Sequence, residues 1–214
     1  MLVGGAVSPL WGVQEKEKME EEVSPVEDLM REHGLLKRVM LCYEEILRRL
    51  EKKAKIPSGV LSESAAIIRN FIENYHERLE EDYLFPRFNK ANMLTELVDV
   101  LLKQHKAGRV LSGVIIDNSN EKALREPAKK SKVMDALRQF NRMYGPHAAR
   151  EDTVLFPALR LVVTSKEYDA LGEEFEKKEH ELFGKEGFEG MVEKVSANEK
   201  KLGINDLAQF TPKV

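Results

Sequence analysis

One pattern, present twice, constrains this chain more than anything else in it. His76-Glu-Arg-Leu-Glu80-Glu-Asp-Tyr-Leu-Phe-Pro86 returns 71 residues later as His147-Ala-Ala-Arg-Glu151-Asp-Thr-Val-Leu-Phe-Pro157. Both copies read H-x-x-x-E-acidic-x-x-L-F-P. On a helix, positions i and i+4 share one face, so each copy aims an imidazole and a carboxylate at one point. Two such pairs in one chain read as two halves of a metal site.

The sequence around the motifs is helical throughout. Ser24-Pro25-Val26-Glu27 is a helix start, with Ser24 as N-cap, Pro25 in the first turn and Glu27 completing a capping box. Leu29, His33, Leu36, Met40 and Leu47 then follow at amphipathic spacing, and Pro57-Ser-Gly59 ends the segment. A second run carries Ala65, Ile68, Ile72, His76, Leu79 and Tyr83, and Pro86 is expected to close it. A third carries Leu94, Val98, Leu101, His105, Gly108 and Ser112 as far as Asn118-Ser-Asn120. The fourth carries Ala136, Phe140, Met143, His147, Glu151 and Val154, with Pro157 as its stop. Gly145-Pro146 predicts a kink or a break there, because an interior proline removes a backbone hydrogen bond.

After Thr164-Ser165, Lys166 to Phe183 reads as a fifth helix with Tyr168, Leu171, Phe175 and Leu182 on its apolar side. Phe188 to Leu202 forms a short sixth, and Gly203 to Val214 a loosely held arm. Val-Ile-Ile at 114–116 is the best strand signal, and it lies inside a helical period. The fold class is therefore all-α.

The repeat extends beyond the motifs. His33 precedes His76 by 43 residues and His105 precedes His147 by 42, so 24–86 and 92–157 are two related helix hairpins. Two hairpins packed face to face make an up-down-up-down four-helix bundle. At 1.5 Å per residue, His33 lies about 33 Å from the end of its helix and His76 about 24 Å from the start of the next. Both can share one layer. The chain divides into a charged leader at 1–23, a bundle at 24–164 and a helical extension at 165–214 that covers one side of the bundle or mediates homodimer formation.

Composition excludes several function classes. A net charge of −3 gives no basic surface for nucleic acid. The single cysteine, Cys42, rules out an intramolecular disulfide and any cysteine-rich zinc or iron–sulfur site. No apolar run approaches the roughly 18 residues that span a bilayer. Met1 to Gly12 is mildly apolar without a basic segment before it, a poor signal peptide. The cytoplasm is the default location, with export as the alternative if an upstream signal is missing.

The converging ligand set is His33, His76, Glu80, His105, His147 and Glu151. Six ligands are too many for a tetrahedral zinc. They fit two octahedral ions, each with two imidazoles, bridged by both carboxylates, with positions left for an oxo or hydroxo bridge and an exogenous ligand. A buried His–Glu hydrogen-bond network without metal is the competing reading. Against it, ionised Glu80 and Glu151 on core-facing positions need a partner. Glu81, Asp82 and the flanking acids read as solvated surface, with Glu77 and Asp152 as spare ligands or acceptors for the ligands. Tyr83 and Tyr144 are either core packing or phenols that hydrogen-bond a bound oxygen species. His180, off the apolar side of its helix, belongs on the surface. A zincin motif is absent, since His76-Glu-Arg-Leu-Glu80 lacks the second histidine. The E-x-x-H of ferritin-like sites occurs once, at Glu73–His76, and its repeat equivalent is Tyr144-Gly-Pro.

Taken together, Glu32-His33, His76-x-x-x-Glu80, Gln104-His105 and His147-x-x-x-Glu151, with Leu-Phe-Pro after both second motifs, resemble the hemerythrin-like, or HHE cation-binding, family. That resemblance implies a non-haem di-iron centre that binds dioxygen or a related small species. Oxygen carriers of the family add a fifth histidine one turn after that of the third helix and end with an aspartate. Here those positions hold Arg109 and Glu151, so the set is more similar to iron- and oxygen-responsive members. The functional expectation is a protein that binds or senses dioxygen, nitric oxide or peroxide. The alternatives are a peroxidase- or nitric-oxide-reductase-like enzyme, and an iron storage or homeostasis protein.

Overall fold

The computed structural model describes residues 23–213. Almost the whole charged leader, and the segment on which the export alternative rests, lie outside these residues. All regular structure among the described residues is helical, with no strand, and Val114–Ile116 is helix.

Helix α1 is Pro25–Glu51. It begins where the Ser24 hydroxyl accepts the Glu27 amide at 3.3 Å, which satisfies one donor that the first turn leaves free. Helix α2 is a continuous helical segment, residues 60–90, with two wide π-helical stretches at Ile68–His76 and Glu80–Leu84. Helix α3 is Thr95–Asp117, and α4 is the short Glu121–Arg125, capped by Asn120. Helix α5 covers residues 127–158, with a π-helical stretch at Glu151–Leu155. Helix α6 is Ser165–Phe183, opened by a complete capping box between Thr164 and Glu167. Helix α7 is Gly187–Leu202. No helix here is long and apolar enough to cross a membrane.

Pro86 as a stop and Pro146 as a break both fail, and for the same reason. Pro86 does not close α2, which runs on to Lys90, and Pro146 does not break α5. A proline ring denies a bond to the carbonyl four residues back. At Pro86, Pro146 and Pro157 that carbonyl belongs to Asp82, Arg142 and Thr153, and each proline and each of those residues is exposed. Water can therefore serve the freed group. At Pro86 and Pro157 a wide π turn comes immediately before.

In the core, α1 packs against α2 and α5, and α3 packs against α2 and α5, so the four form a closed ring of neighbours. Tyr43, Ile46, Val98, Phe140 and Phe156 are among the buried residues of this core. The extension lies along the outside of α1 and α2. It is held by buried Phe175, Val195 and Leu202, by a two-pronged Arg38–Glu199 pair at 2.9 and 2.6 Å, and by an Asn198–Ser64 hydrogen bond at 3.2 Å. Leu182, expected on the apolar side of α6, is 58% exposed instead. Phe183, the next residue, takes the inward place against Phe71 and Tyr75 and leaves Leu182 on the outer side.

Candidate metal centre

Each helix of the ring delivers part of one buried cluster: His33 from α1, His76 and Glu80 from α2, His105 from α3, His147 and Glu151 from α5. All six are buried, with His147 the most exposed at 3%. Two groups, His33–His76–Glu80 and His105–His147–Glu151, each have one ligand atom per residue within 4.8 Å of the others. The carboxylates also cross between the groups. Glu151 Oε2 lies 3.0 Å from His147 Nε2 and 3.4 Å from His33 Nε2. Glu80 Oε2 lies 3.8 Å from His76 Nε2 and 3.4 Å from His105 Nε2.

The outer nitrogen of every imidazole has its own acceptor. His33 Nδ1 meets Asp152 Oδ1 at 2.6 Å, and His105 Nδ1 meets Glu81 Oε1 at 3.0 Å. His76 Nδ1 meets Glu32 Oε2 at 2.6 Å, and His147 Nδ1 meets Gln104 Oε1 at 2.9 Å. An acceptor at Nδ1 places the ring proton there and turns the Nε2 lone pair inward. The consequence shows at the centre, where the Nε2 atoms of His33 and His76 face each other at 3.1 Å.

These contacts obey an approximate two-fold relation that the sequence repeat encodes. The acidic residue after each carboxylate, Glu81 or Asp152, reaches across to the first-helix histidine of the other hairpin. Lys37 and Arg109, each four residues after that histidine, grip the same acids at 2.9 and 2.8 Å. The residue in front of the histidine, Glu32 or Gln104, holds the second-helix histidine of its own hairpin. The π stretches begin on Glu80 and on Glu151. A wider turn lets two consecutive residues both face inward, which is what Glu80-Glu81 and Glu151-Asp152 do, and such turns recur at functional sites.

Glu81, expected on the solvated surface, was therefore misread, whereas Asp152 takes the acceptor role that was one of its two expected alternatives. Glu32, Gln104 and Lys37 had no role assigned from the residues alone. The available signal was the repeat itself, since all of these stand beside a ligand at the same offset in both hairpins. Glu77, buried, accepts from the Tyr144 hydroxyl at 2.6 Å and pairs with Arg109 at 2.7 Å. Gly108 makes room for that hydroxyl, which a Cβ would strike. Tyr144 stands edge-on to His147, ring centroids 5.2 Å apart. Tyr83 turns away from the cluster, donating to Glu174 on α6 at 3.1 Å. Seven residues bring an α-helix back to one face, but the π stretch between His76 and Tyr83 shifts that phase. His180 is exposed.

The electrostatics call for positive charge. Glu32, Glu77, Glu80, Glu81, Glu151 and Asp152 surround the cluster, against Arg109 and Lys37. Burial alone would depress the histidines, yet Asp152 and Glu151 lift His33 to about 10, and Glu80 and Glu81 lift His105 to about 10. His76, where burial dominates, falls to about 4. Burial pushes Glu77 up to about 7. Burial works against the Glu151 carboxylate too, but His147 and His33 hold it well below the usual range. Both oxygens of Glu80, both of Glu151 and His105 Nε2 are buried without a hydrogen-bond partner. Buried polar atoms are almost always satisfied, and five orphans converging between four inward-facing Nε2 atoms fit metal ions as the missing partners.

Comparison with known proteins agrees with the geometry. The description of the hemerythrin HHE cation binding domain matches residues 24–159. This chain belongs to that family. The HHE match ends just past the second Leu-Phe-Pro and leaves α6 and α7 outside it. An uncharacterised protein of Mycobacterium bovis and two of Mycobacterium tuberculosis strains are each 48% identical over 196 residues, covering 91% of this chain and 76% of theirs. Those alignments are longer than the HHE domain alone. No solved structure matches the chain significantly.

Proposed function

We propose that this HHE protein holds two iron ions between His33, His76, Glu80, His105, His147 and Glu151, inside an up-down-up-down four-helix bundle, and that it binds or senses dioxygen, nitric oxide or peroxide. The observation that carries the reading is the set of five orphaned ligand atoms among imidazoles whose outer nitrogens are all capped. The mixed imidazole and carboxylate donors suit iron better than softer or purely hard ions. The crossing contacts of Glu80 and Glu151 support their use as bridges. When bound, the iron pair supplies redox-active Lewis-acid positions for a small oxygen- or nitrogen-containing ligand.

The chain's own groups fix the imidazole tautomers, exclude bulk water and keep the Glu151 carboxylate ionised. Turnover of peroxide or nitric oxide is a second reading, favoured by the Tyr144–Glu77 pair. It places an exchangeable proton within reach of His105, on a carboxyl group that burial brings to about 7. The test is metal content after iron-replete expression, with the visible spectrum recorded with and without air. About two irons per chain and the absorption of a coupled ferric pair are expected from this donor set. Fewer than about one iron per chain, or zinc in its place, overturns the proposal.

A further inference from the structure

A third group of potential ligands lies outside the HHE centre. Asp28 and Glu32 stand one turn apart on α1, and Glu179 on α6 completes a trio with one ligand oxygen each within 4.8 Å. One buried and two half-buried carboxylates do not gather this closely without positive charge or shared protons. Among the described residues none of the three pairs with a lysine or an arginine. Arg31, beside them, is engaged with Glu189 at 3.2 Å and stacked over Phe188.

Two further observations point to a ligand. Glu32 is fully buried, and with Oε2 committed to His76 its Oε1 has no hydrogen-bond partner. Glu179 is held in place by a turn shaped around it. The Phe188 amide donates to its Oε1 at 2.8 Å, and Gly187, at φ +37°, carries no Cβ where one would strike the carboxylate. The buried Tyr75 hydroxyl adds a fourth oxygen, 3.4 Å from Glu179 Oε2. The crowding shows in Asp28, which burial and then Glu32 and Glu179 raise to about 7.

We propose that Asp28, Glu32 and Glu179 form a separate cation site that takes one divalent ion through oxygen ligands. Carboxylates and a phenol with no imidazole select a hard ion such as Mn²⁺ or Mg²⁺ over iron. The site joins the extension to the centre, because Glu32 touches this ion with one oxygen and orients His76 with the other. It stands whatever fills the HHE centre.

The test loads the full chain with iron, then titrates Mn²⁺ and counts bound ions by electron paramagnetic resonance. Wild type is compared with Asp28→Asn and Glu179→Gln, both of which leave the six HHE-centre residues untouched. Each variant is expected to bind about one Mn²⁺ fewer per chain while keeping its iron and visible spectrum. Mn²⁺ binding equal to wild type in both variants would overturn the site and assign the trio to shared protons. Joint loss of Mn²⁺ and iron would overturn its separateness. Far-ultraviolet circular dichroism checks folding, and Asp28→Asn, outside the turn that grips Glu179, carries the test if Glu179→Gln unfolds.

Discussion

In one half of the centre, His76 Nδ1 faces a carboxylate, Glu32; in the other, His147 Nδ1 faces a neutral amide, Gln104. Almost everything else is matched. Asp152 answers Glu81, Lys37 answers Arg109, and each ligand carboxylate reaches both halves. The second asymmetry is Glu77, buried between Tyr144 and Arg109, where the repeat places Ala148 in the other motif. A duplicated scaffold thus offers two near-equal positions, and single residues beside the ligands make them chemically unequal.

The largest expected effect tests whether the halves are separate at all. Glu80→Gln and Glu151→Gln each remove a carboxylate that contacts histidines of both groups. Either substitution is expected to take bound metal from about two per chain to essentially none, since metal binding needs the charged ligand set. Inductively coupled plasma mass spectrometry reads the result. A variant that keeps one tightly bound metal would show the halves to be independent and the crossing contacts unimportant.

The next effect sharpens the difference between Lys37 and Arg109. Arg109 is 22% exposed and pairs with both Glu77 and Glu81. Arg109→Met strands Glu77 in the interior, and breaking a buried pair costs about 3 kcal/mol or more. Lys37 is 52% exposed and pairs only with Asp152. Lys37→Met should stay within about 1 kcal/mol, as surface pairs do. Urea denaturation of the two metal-free variants measures both. Equal losses would mean that Glu77 relies on Tyr144 rather than on Arg109.

The clustered residues were legible because a helix returns to one face after four residues, so H-x-x-x-E at 76–80 and 147–151 reads directly as a converging pair. The lone histidines were legible through the repeat and their place on apolar stripes. What did not read out depends on departures from the α period or on contacts between distant helices. The π turns at Glu80 and Glu151 bring Glu81 and Asp152 inward, although charge pattern assigns such residues to water. They also move Tyr83 toward Glu174. Pro86 and Pro146 read as interruptions because exposure of Asp82 and Arg142, whose carbonyls lose a partner, is a tertiary property. Glu179 carried no signal at all, since its neighbours Asp28 and Glu32 lie about 150 positions away and one face of α6 looks like any other until it docks.

The smallest effect addresses the asymmetry itself. A carboxylate at Nδ1 raises the basicity of the imidazole more than an amide does, and such partners alter metal affinity by about 10- to 100-fold. Glu32→Gln makes the two halves alike by weakening the first. Gln104→Glu makes them alike by strengthening the second. In a chelator competition, wild type is expected to release its two metals in separable steps. Glu32→Gln should merge the steps at lower chelator concentration and Gln104→Glu at higher. Exchanging both residues together restores two steps with their order reversed. If the steps of wild type coincide, or if Gln104→Glu loosens the metal, charge at Nδ1 does not set the difference, and the buried Glu77 becomes the residue that does.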